Sequence, residues 1–371
     1  MFFTLCKKFF NISPSFKTME DSKDLLTFTT VCDMINVSYL SAKGYIMKNI
    51  LIIGSINIDL VINTDILPKL GETVHGKNFM TSYGGKGANQ AVAVAKLYGE
   101  ADMVGAVGQD EFGKLLKSNL EANRVRTEGV KIADTNSGVA VITVCGGDNH
   151  IILDGGANDA VSPAWIDANT NLIKNADIVI FQLEIPMETI IYAAKKAKEY
   201  GCKVLLNPAP AAKLPEELLS YTDIIIPNEH EAAIITGCDN EEEALKALWN
   251  DGKRTVIITL GEKGCLYNEG TVIKSQSAFS VKAVDSTAAG DSFIGGYCSA
   301  VAEGKTMDEA VRFATAVSAI TVSRPGASAS IPSREEAEAF LLANTKYGDK
   351  RTGPIMGSVP SRKQRLNPTD F

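Results

Sequence analysis

Short runs of β-branched and apolar residues recur along the middle of this chain, each followed by a segment with helical spacing. That alternation constrains the fold more than any other feature. Residues 49–54, 177–181, 203–206, 223–226 and 255–260 read as strands, and residues 189–199, 229–236, 241–249, 291–303 and 307–322 as helices. The strand candidates are apolar throughout rather than on alternate positions, so both faces of their sheet are buried. The expectation is an α/β fold, Rossmann-like, with a mostly parallel central sheet and helices on both faces. Ligands in such sheets bind beyond the carboxyl ends of the strands, and Glu184, Asn228 and Gly261 all fall there. Two segments break the alternation. Residues 137–145 and 150–153 flank Gly146-Gly147-Asp148-Asn149, a hairpin signal, and residues 60–62 and 78–82 are also strand-like. Together they predict a small sheet beside the main domain.

With 371 residues the chain can bury a large core, and its net charge of −7 argues against a nucleic-acid surface. No apolar stretch approaches the roughly 20 residues that span a bilayer. The 7 cysteines are odd in number and scattered without a C-x-x-C pair, which fits reduced thiols in a cytoplasmic compartment. The 3 histidines, His75, His150 and His230, are too separated for a histidine metal site. Residues 1–46 mix Lys, Phe, Ser and Thr with little periodicity. A transit peptide is one explanation, but Glu20, Asp21, Asp24 and Asp33 and the lack of Arg count against it. An unstructured extension or an upstream start accounts for the segment better. The domain is expected at residues 47–345, and the Gly-, Pro- and Lys/Arg-rich tail 346–371 reads as disordered.

Two motifs carry chemistry. In Val284-Asp285-Ser286-Thr287-Ala288-Ala289-Gly290-Asp291-Ser292-Phe293, a polar run meets small residues just before a helix. The first turn of a helix leaves backbone N–H groups unpaired and carries partial positive charge. With only methyl groups or hydrogen on residues 288–290, a phosphate can approach those amides closely. Asp291 stands at the mouth of that pocket, where a carboxylate can take a proton from an attacking hydroxyl. The arrangement suits phosphoryl transfer to an alcohol, while Asp291 as an ordinary helix cap explains the same residues equally well.

The second motif, Tyr83-Gly84-Gly85-Lys86-Gly87-Ala88-Asn89-Gln90, precedes the small-residue helix 91–95. Its glycines permit close backbone approach to a ligand, and Lys86 and Asn89 offer donors to hydroxyl groups. It is not a P-loop. The nearest miss, Gly304-Lys305-Thr306, lacks the earlier glycine and reads better as a helix stop followed by a Thr306–Glu309 capping box. A dinucleotide-binding dehydrogenase is excluded because Gly54 belongs to no G-x-G-x-x-G run.

With G-G-K-G-A-N-Q early and D-x-T-A-A-G-D late, the chain resembles the ribokinase/phosphofructokinase-B family of carbohydrate kinases. Further matches fall in the family's order: Asn57-Ile58-Asp59, Glu184, Pro227-Asn228-Glu229-His230-Glu231, Thr259-Leu260-Gly261-Glu262-Lys263-Gly264 and Arg324-Pro325-Gly326-Ala327. The resemblance covers about residues 47–342, and Ser286 stands where the family usually has Thr. It implies a family-like α/β fold in which the small sheet, from about 60–83 and 137–156, is a lid over the sugar and often the interface of a homodimer.

The resemblance also implies roles. Asn57, Asp59, Gly85, Lys86, Asn89, Glu184 and Asp291 would bind the sugar, with Asp291 as base and Ala288, Ala289 and Gly290 as the anion hole. Read without it, Asn57 and Asp59 are turn formers after a strand, and Glu184 before Pro186 is a cap. The nucleotide falls to Asn228, Thr259, Leu260, Gly261, Glu262, Lys263, Gly264, Gly290 and Thr315. Magnesium is implied near Asn228 and Glu231, reached through water. Potassium is implied at Asp285, Thr287, Thr321, Arg324, Gly326 and Ser330, held largely by backbone carbonyls. The implied reaction is ATP-dependent phosphorylation of D-ribose at its 5-hydroxyl. The alternatives are a kinase for deoxyribose, another sugar or a nucleoside, and a non-catalytic sugar sensor. The retained Asp291 and anion hole argue against the sensor, and the 85–90 segment favours ribose.

Overall fold

Successive residues of the strand β1 (Ile50–Ile53) enter different cores: Ile50 and Ile52 pack into one hydrophobic cluster, Leu51 and Ile53 into the other. Side chains alternate across a strand, so an unbroken apolar run has somewhere to go only if helices cover both faces. The same split recurs at β8 (Ile178–Phe181), where Ile178 and Ile180 face one cluster and Val179 and Phe181 the other. The computed structural model describes residues 48–146, 148–250 and 252–345. The expectations for residues 1–46 and for the tail 346–371 lie outside the described residues.

The large sheet has nine strands in the order β13-β12-β11-β10-β9-β8-β1-β4-β5. Besides β1 and β8 these are β4 (Ala101–Gly108), β5 (Val125–Ala133), β9 (Lys203–Leu206), β10 (Ile224–Ile225), β11 (Thr255–Thr259), β12 (Cys265–Glu269) and β13 (Val272–Gln276). All pair in parallel except at the β12 edge, where β12 runs antiparallel to both β11 and β13. A second, four-stranded sheet has the order β3-β2-β6-β7, from β2 (Asn57–Thr64), β3 (Gly76–Gly84), β6 (Gly138–Cys145) and β7 (Asp148–Asp154).

One face of the large sheet is covered by α1 (Lys86–Tyr98), α2 (Glu111–Ala122), α9 (Ala289–Ala302) and α10 (Met307–Val322), joined at its rim by α11 (Arg334–Thr345). The other carries α3 (Pro163–Ala168), α4 (Thr170–Asn175), α5 (Met187–Glu199), α6 (Glu216–Tyr221), α7 (Glu229–Thr236) and α8 (Glu241–Leu248). The Thr306–Glu309 capping box is present at the start of α10.

Four local expectations change. Asn57 and Asp59 lie within β2 rather than in a turn after β1, paired to Gly84 and Ser82 of β3. The strands of the small sheet run longer than the patterns at 60–62 and 78–82, because their polar ends pair along a neighbour that the sequence does not reveal. The hairpin connection shrinks to residues 146–147, with Cys145 paired to Asp148. The first helix also starts earlier than residue 91. Gly85 takes φ 85°, where a side chain would strike the Asn57 nitrogen at 2.7 Å, and Lys86 begins α1 directly.

Candidate active site

Polar residues line the carboxyl ends of consecutive parallel strands. Ser55 follows β1, Gln182 and Glu184 follow β8, Asn207 follows β9 and Asn228 follows β10. This is the edge where open α/β sheets bind ligands. The small sheet joins the same edge through β2, whose Asn57 is buried and accepts a hydrogen bond from the Asn158 amide at 2.6 Å. A Cβ at Gly138 would sit 2.2 Å from that Asn57 oxygen, so glycine is what lets β6 pass.

Glu184 ties the first helix to the sheet. Its Oε2 accepts from the Ser55 hydroxyl at 2.6 Å and from the Lys86 backbone N–H at 3.1 Å. Around Lys86 stand the carboxylates of Asp291, Glu184, Glu231 and Asp59; burial works against its charge, but those four anions outweigh it and raise the ammonium's pKa. Asp59 moves the other way in character. Burial first, then the charges of Glu184 and Asp291, push its pKa up to about 7, with Lys86 opposing. Gly84 leaves room for it, since a Cβ there would lie 2.2 Å from an Asp59 oxygen.

Asp291 sits in the first turn of α9, 8% exposed. Its Oδ2 accepts from Asn89 Nδ2 at 3.1 Å and its Oδ1 from Gln90 Nε2 at 2.9 Å. Burial raises its pKa; Lys86 and the two amides pull against that, and Glu184 adds to it. The approach of the two helices depends on Gly295, one turn after Asp291, where a Cβ would stand 2.3 Å from the Cβ of Ala93, one turn after Asn89. Small residues at that crossing let residues more than 200 positions apart share hydrogen bonds. Asn89 Oδ1, buried, has no partner. An unpaired acceptor there suits a ligand hydroxyl, which restores its hydrogen bond.

On the opposite flank, Asn228 caps α7: its Oδ1 accepts from the Glu231 N–H at 2.8 Å, and its own N–H donates to Glu231 Oε2 at 2.9 Å. Burial raises the Glu231 pKa, with the Asn228 N–H and Lys86 opposing. One Glu231 oxygen is thus committed to the cap, so this residue fits a hydrated magnesium ion better than a directly bound one. Asn228 bridges Thr259, beyond which Leu260 leads into the short 3-10 turn Gly261–Lys263. Gly264 takes φ 101°, and a Cβ there would meet the Gln276 carbonyl at 2.0 Å. Thr315, on α10, bonds back to the Val311 carbonyl and faces Cys265 at the start of β12.

The turn before α9 has no side-chain cap, and Ala288 adopts the left-handed region at φ 60°. The Ala289 N–H is engaged with the Ser286 carbonyl at 3.2 Å, whereas a Cβ at Gly290 would meet nothing within 4 Å. The open approach is therefore at Gly290 and Asp291, whose N–H groups have no preceding helical turn to bond. Asp285 holds this turn against the next one. Its Oδ1 accepts from the Thr287 N–H and hydroxyl, and its Oδ2 from the Gly326 N–H at 2.9 Å. Burial pushes the Asp285 pKa up, but those hydrogen bonds prevail and lower it.

The 285–287 and 324–326 turns are thereby held side by side. No cluster of three or more His, Cys, Asp or Glu suited to a metal occurs among the described residues. Of the implied cation set, Thr321 and Ser330 turn their hydroxyls to the Val317 and Ala327 carbonyls, and Arg324 pairs with Glu336 at 2.7 Å.

Four buried polar residues at the site were missed: Ser55, Asn158, Gln182 and Asn207. Gln182 and Asn207 each follow directly on an apolar strand, a polar residue at the carboxyl end of a parallel strand. That signal was available in the sequence. Asn158 lies in a short 3-10 helix and had none.

The model of the pfkB family of carbohydrate kinases matches residues 47–334. A ribokinase of Schizosaccharomyces pombe is 43% identical, over 79% of this chain and 97% of its own length. A deoxyribokinase of Salmonella typhi is 38% identical, over 80% of this chain and 99% of its own. The structure of Arabidopsis thaliana ribokinase complexed with ribose and ATP superposes with a TM-score of 0.75 at 34% identity, covering 80% of this chain and 99% of that one. The family match spans most of the chain, these relatives align with it over nearly their whole length, and the chain belongs to the pfkB family of carbohydrate kinases.

Proposed function

We propose that this protein transfers the γ-phosphoryl group of ATP to the 5-hydroxyl of D-ribose, giving ribose 5-phosphate and ADP. The observation that carries the proposal is the buried Asp291 carboxylate, held by Asn89 and Gln90 at an uncapped helix start and facing Lys86, Asp59 and Glu184. A pentose presents several hydroxyls that both donate and accept, and a set of carboxylates with amides matches both needs. Asn57, Asp59, Gly85, Lys86, Asn89 and Glu184 are the proposed sugar contacts. Asp291 is the proposed base: it orients the hydroxyl and takes its proton as the oxygen–phosphorus bond forms and ADP leaves. The raised pKa of that carboxylate makes it a better proton acceptor than an ordinary one.

Asn228, Thr315, the 259–264 turn and Gly290 are the proposed nucleotide contacts. Small residues at 288–290 leave the approach clear, and the open Gly290 and Asp291 amides, rather than the engaged Ala289 one, support charge on the transferring group. Magnesium, held through water near Glu231, would neutralise phosphate charge. Potassium between the 285–287 and 324–330 turns would stiffen the anion hole, through oxygens of Asp285, Thr287, Thr321, Arg324, Gly326 and Ser330. A homodimer through the small sheet is the proposed assembly, supported by the exposed apolar side chains of Phe79, Met80, Ile151 and Ile152 on it. Free thiols at Cys145, Cys202, Cys238, Cys265 and Cys298 support a cytoplasmic setting. No helix among the described residues is long and apolar enough to cross a membrane.

Coupled ATP consumption across a panel of ribose, deoxyribose, other sugars and nucleosides tests the proposal. Highest kcat/KM with ribose is expected. Preference for deoxyribose, the activity named for the Salmonella relative, would move the substrate assignment, and no turnover with any alcohol would remove the kinase reading.

A further inference from the structure

The Asp291 carboxylate is the last member of a buried chain of side-chain amides. Gln182 Nε2 donates to Gln90 Oε1 at 2.6 Å, and Gln90 Nε2 donates to Asp291 Oδ1 at 2.9 Å and to Asn207 Oδ1 at 3.1 Å. Asn207 is anchored in turn by its own amide on the Ile226 carbonyl at 3.1 Å. Gln182 and Gln90 are 0% exposed and Asn207 is 8% exposed. The members come from three separate places, the ends of β8 and β9 and the second turn of α1, and they converge on a carboxylate of α9.

The chain has one direction. Gln182 holds the oxygen of the Gln90 amide, so the Gln90 N–H groups must point at Asp291 and Asn207. Rotating Gln90 by half a turn would set its oxygen against two acceptors. This orientation leaves the buried Gln182 Oε1 without a partner. It is pressed against Gly54, where a Cβ would stand 1.8 Å away. An unpaired buried acceptor is a cost that core packing alone gives no reason to keep.

We propose that Gln182, Gln90 and Asn207 are positioning residues that hold the Asp291 carboxylate ionised and in one orientation toward the sugar hydroxyl; this rests on the kinase reading above. Other charged groups around Asp291 are Lys86 of α1, Glu184 beyond β8, Asp59 of β2 and Glu231 of α7. Lys86 supplies attraction without direction, whereas an N–H donor fixes which oxygen is held and where the other faces. Loss of a donor to the ionised form raises the carboxylate's pKa, so activity that needs the ionised base is lost at a higher pH on acidification.

The test is a cycle of Gln90→Met, Gln182→Met and the double variant, with kcat measured from pH 5 to 9 and ribose affinity measured by calorimetry. Gln90→Met should lose about 10- to 100-fold in kcat and move the acidic limb up by about one pH unit. Ribose affinity should stay within about threefold, because Gln90 acts only through Asp291. Gln182→Met should show a smaller loss of the same sign that disappears in the double variant, since it works through Gln90. An unmoved acidic limb in Gln90→Met, or losses that simply add, overturns the relay. Should Gln90→Met not fold, the limb of Gln182→Met decides by the same criterion. A parent protein that phosphorylates no sugar overturns the kinase reading itself, and the parent's own assay reveals that separately.

Discussion

Ribose binding should depend on pH through Asp59. Its carboxyl is buried between Glu184 and Asp291 and titrates at about 7, so near neutrality it is half protonated. The sign follows from the direction of the shift: below that value the protonated acid dominates, and above it the carboxylate. A carboxylate accepts hydrogen bonds from sugar hydroxyls more strongly than the neutral acid does. If only the ionised form binds well, the ionised fraction rises from about 10% at pH 6 to about 90% at pH 8, and affinity rises by about tenfold. Calorimetry of ribose without nucleotide, at fixed ionic strength and several pH values, reads this directly. Asp59→Asn should flatten the dependence and weaken binding at pH 8 by about tenfold, the loss of one hydrogen bond to a charged group. Asp291→Asn serves as the control: it removes one of the charges that raise Asp59, so the slope should persist but move to lower pH. A parent affinity that is flat from pH 6 to 8, or a slope that survives in Asp59→Asn, refutes the reasoning.

Asp291→Asn should lower kcat by about 100- to 10,000-fold with a much smaller change in ribose affinity, since Asn89 can turn its unpaired Oδ1 toward the new amide; near-normal kcat would show that Asp291 is not the base. Gly295→Val should push α1 and α9 apart, given the 2.3 Å gap a Cβ would find at Ala93, costing about 1–3 kcal/mol in thermal or denaturant unfolding and more than proportionate activity; a variant with unchanged melting and turnover would mean the crossing is slack. Replacing sodium by potassium at constant ionic strength should raise turnover, and equal rates in the two salts would remove the cation from the 285–287 and 324–330 turns.

The architecture was legible because it is written in local chemistry. Continuous apolar strands such as 178–181 and 203–206 cannot be half-exposed, so helices on two faces were required before any contact was known. Both glycine-rich motifs were legible for the same reason, since small residues beside Lys86 and Asp291 mark places where backbone and ligand approach. Other features were not. The strand β4, broken by Gly105, is buried along its whole length, and β5 pairs beside it, yet neither stood out in the sequence. The edge hairpin β12–β13 was likewise hidden behind what reads as a routine turn.

What the sequence determined by itself is therefore the fold class, the two chemical motifs and their order along the chain. What only the tertiary structure decided is how they meet. Asn89 and Gln90 reach Asp291 across 202 and 201 positions because two helices cross at Gly295 and Ala93. Gln182 and Asn207 join them because neighbouring strands end at the same edge. Hydrogen bonds between side chains depend on distance and angle in space, and those are set by packing between elements, which no local pattern encodes.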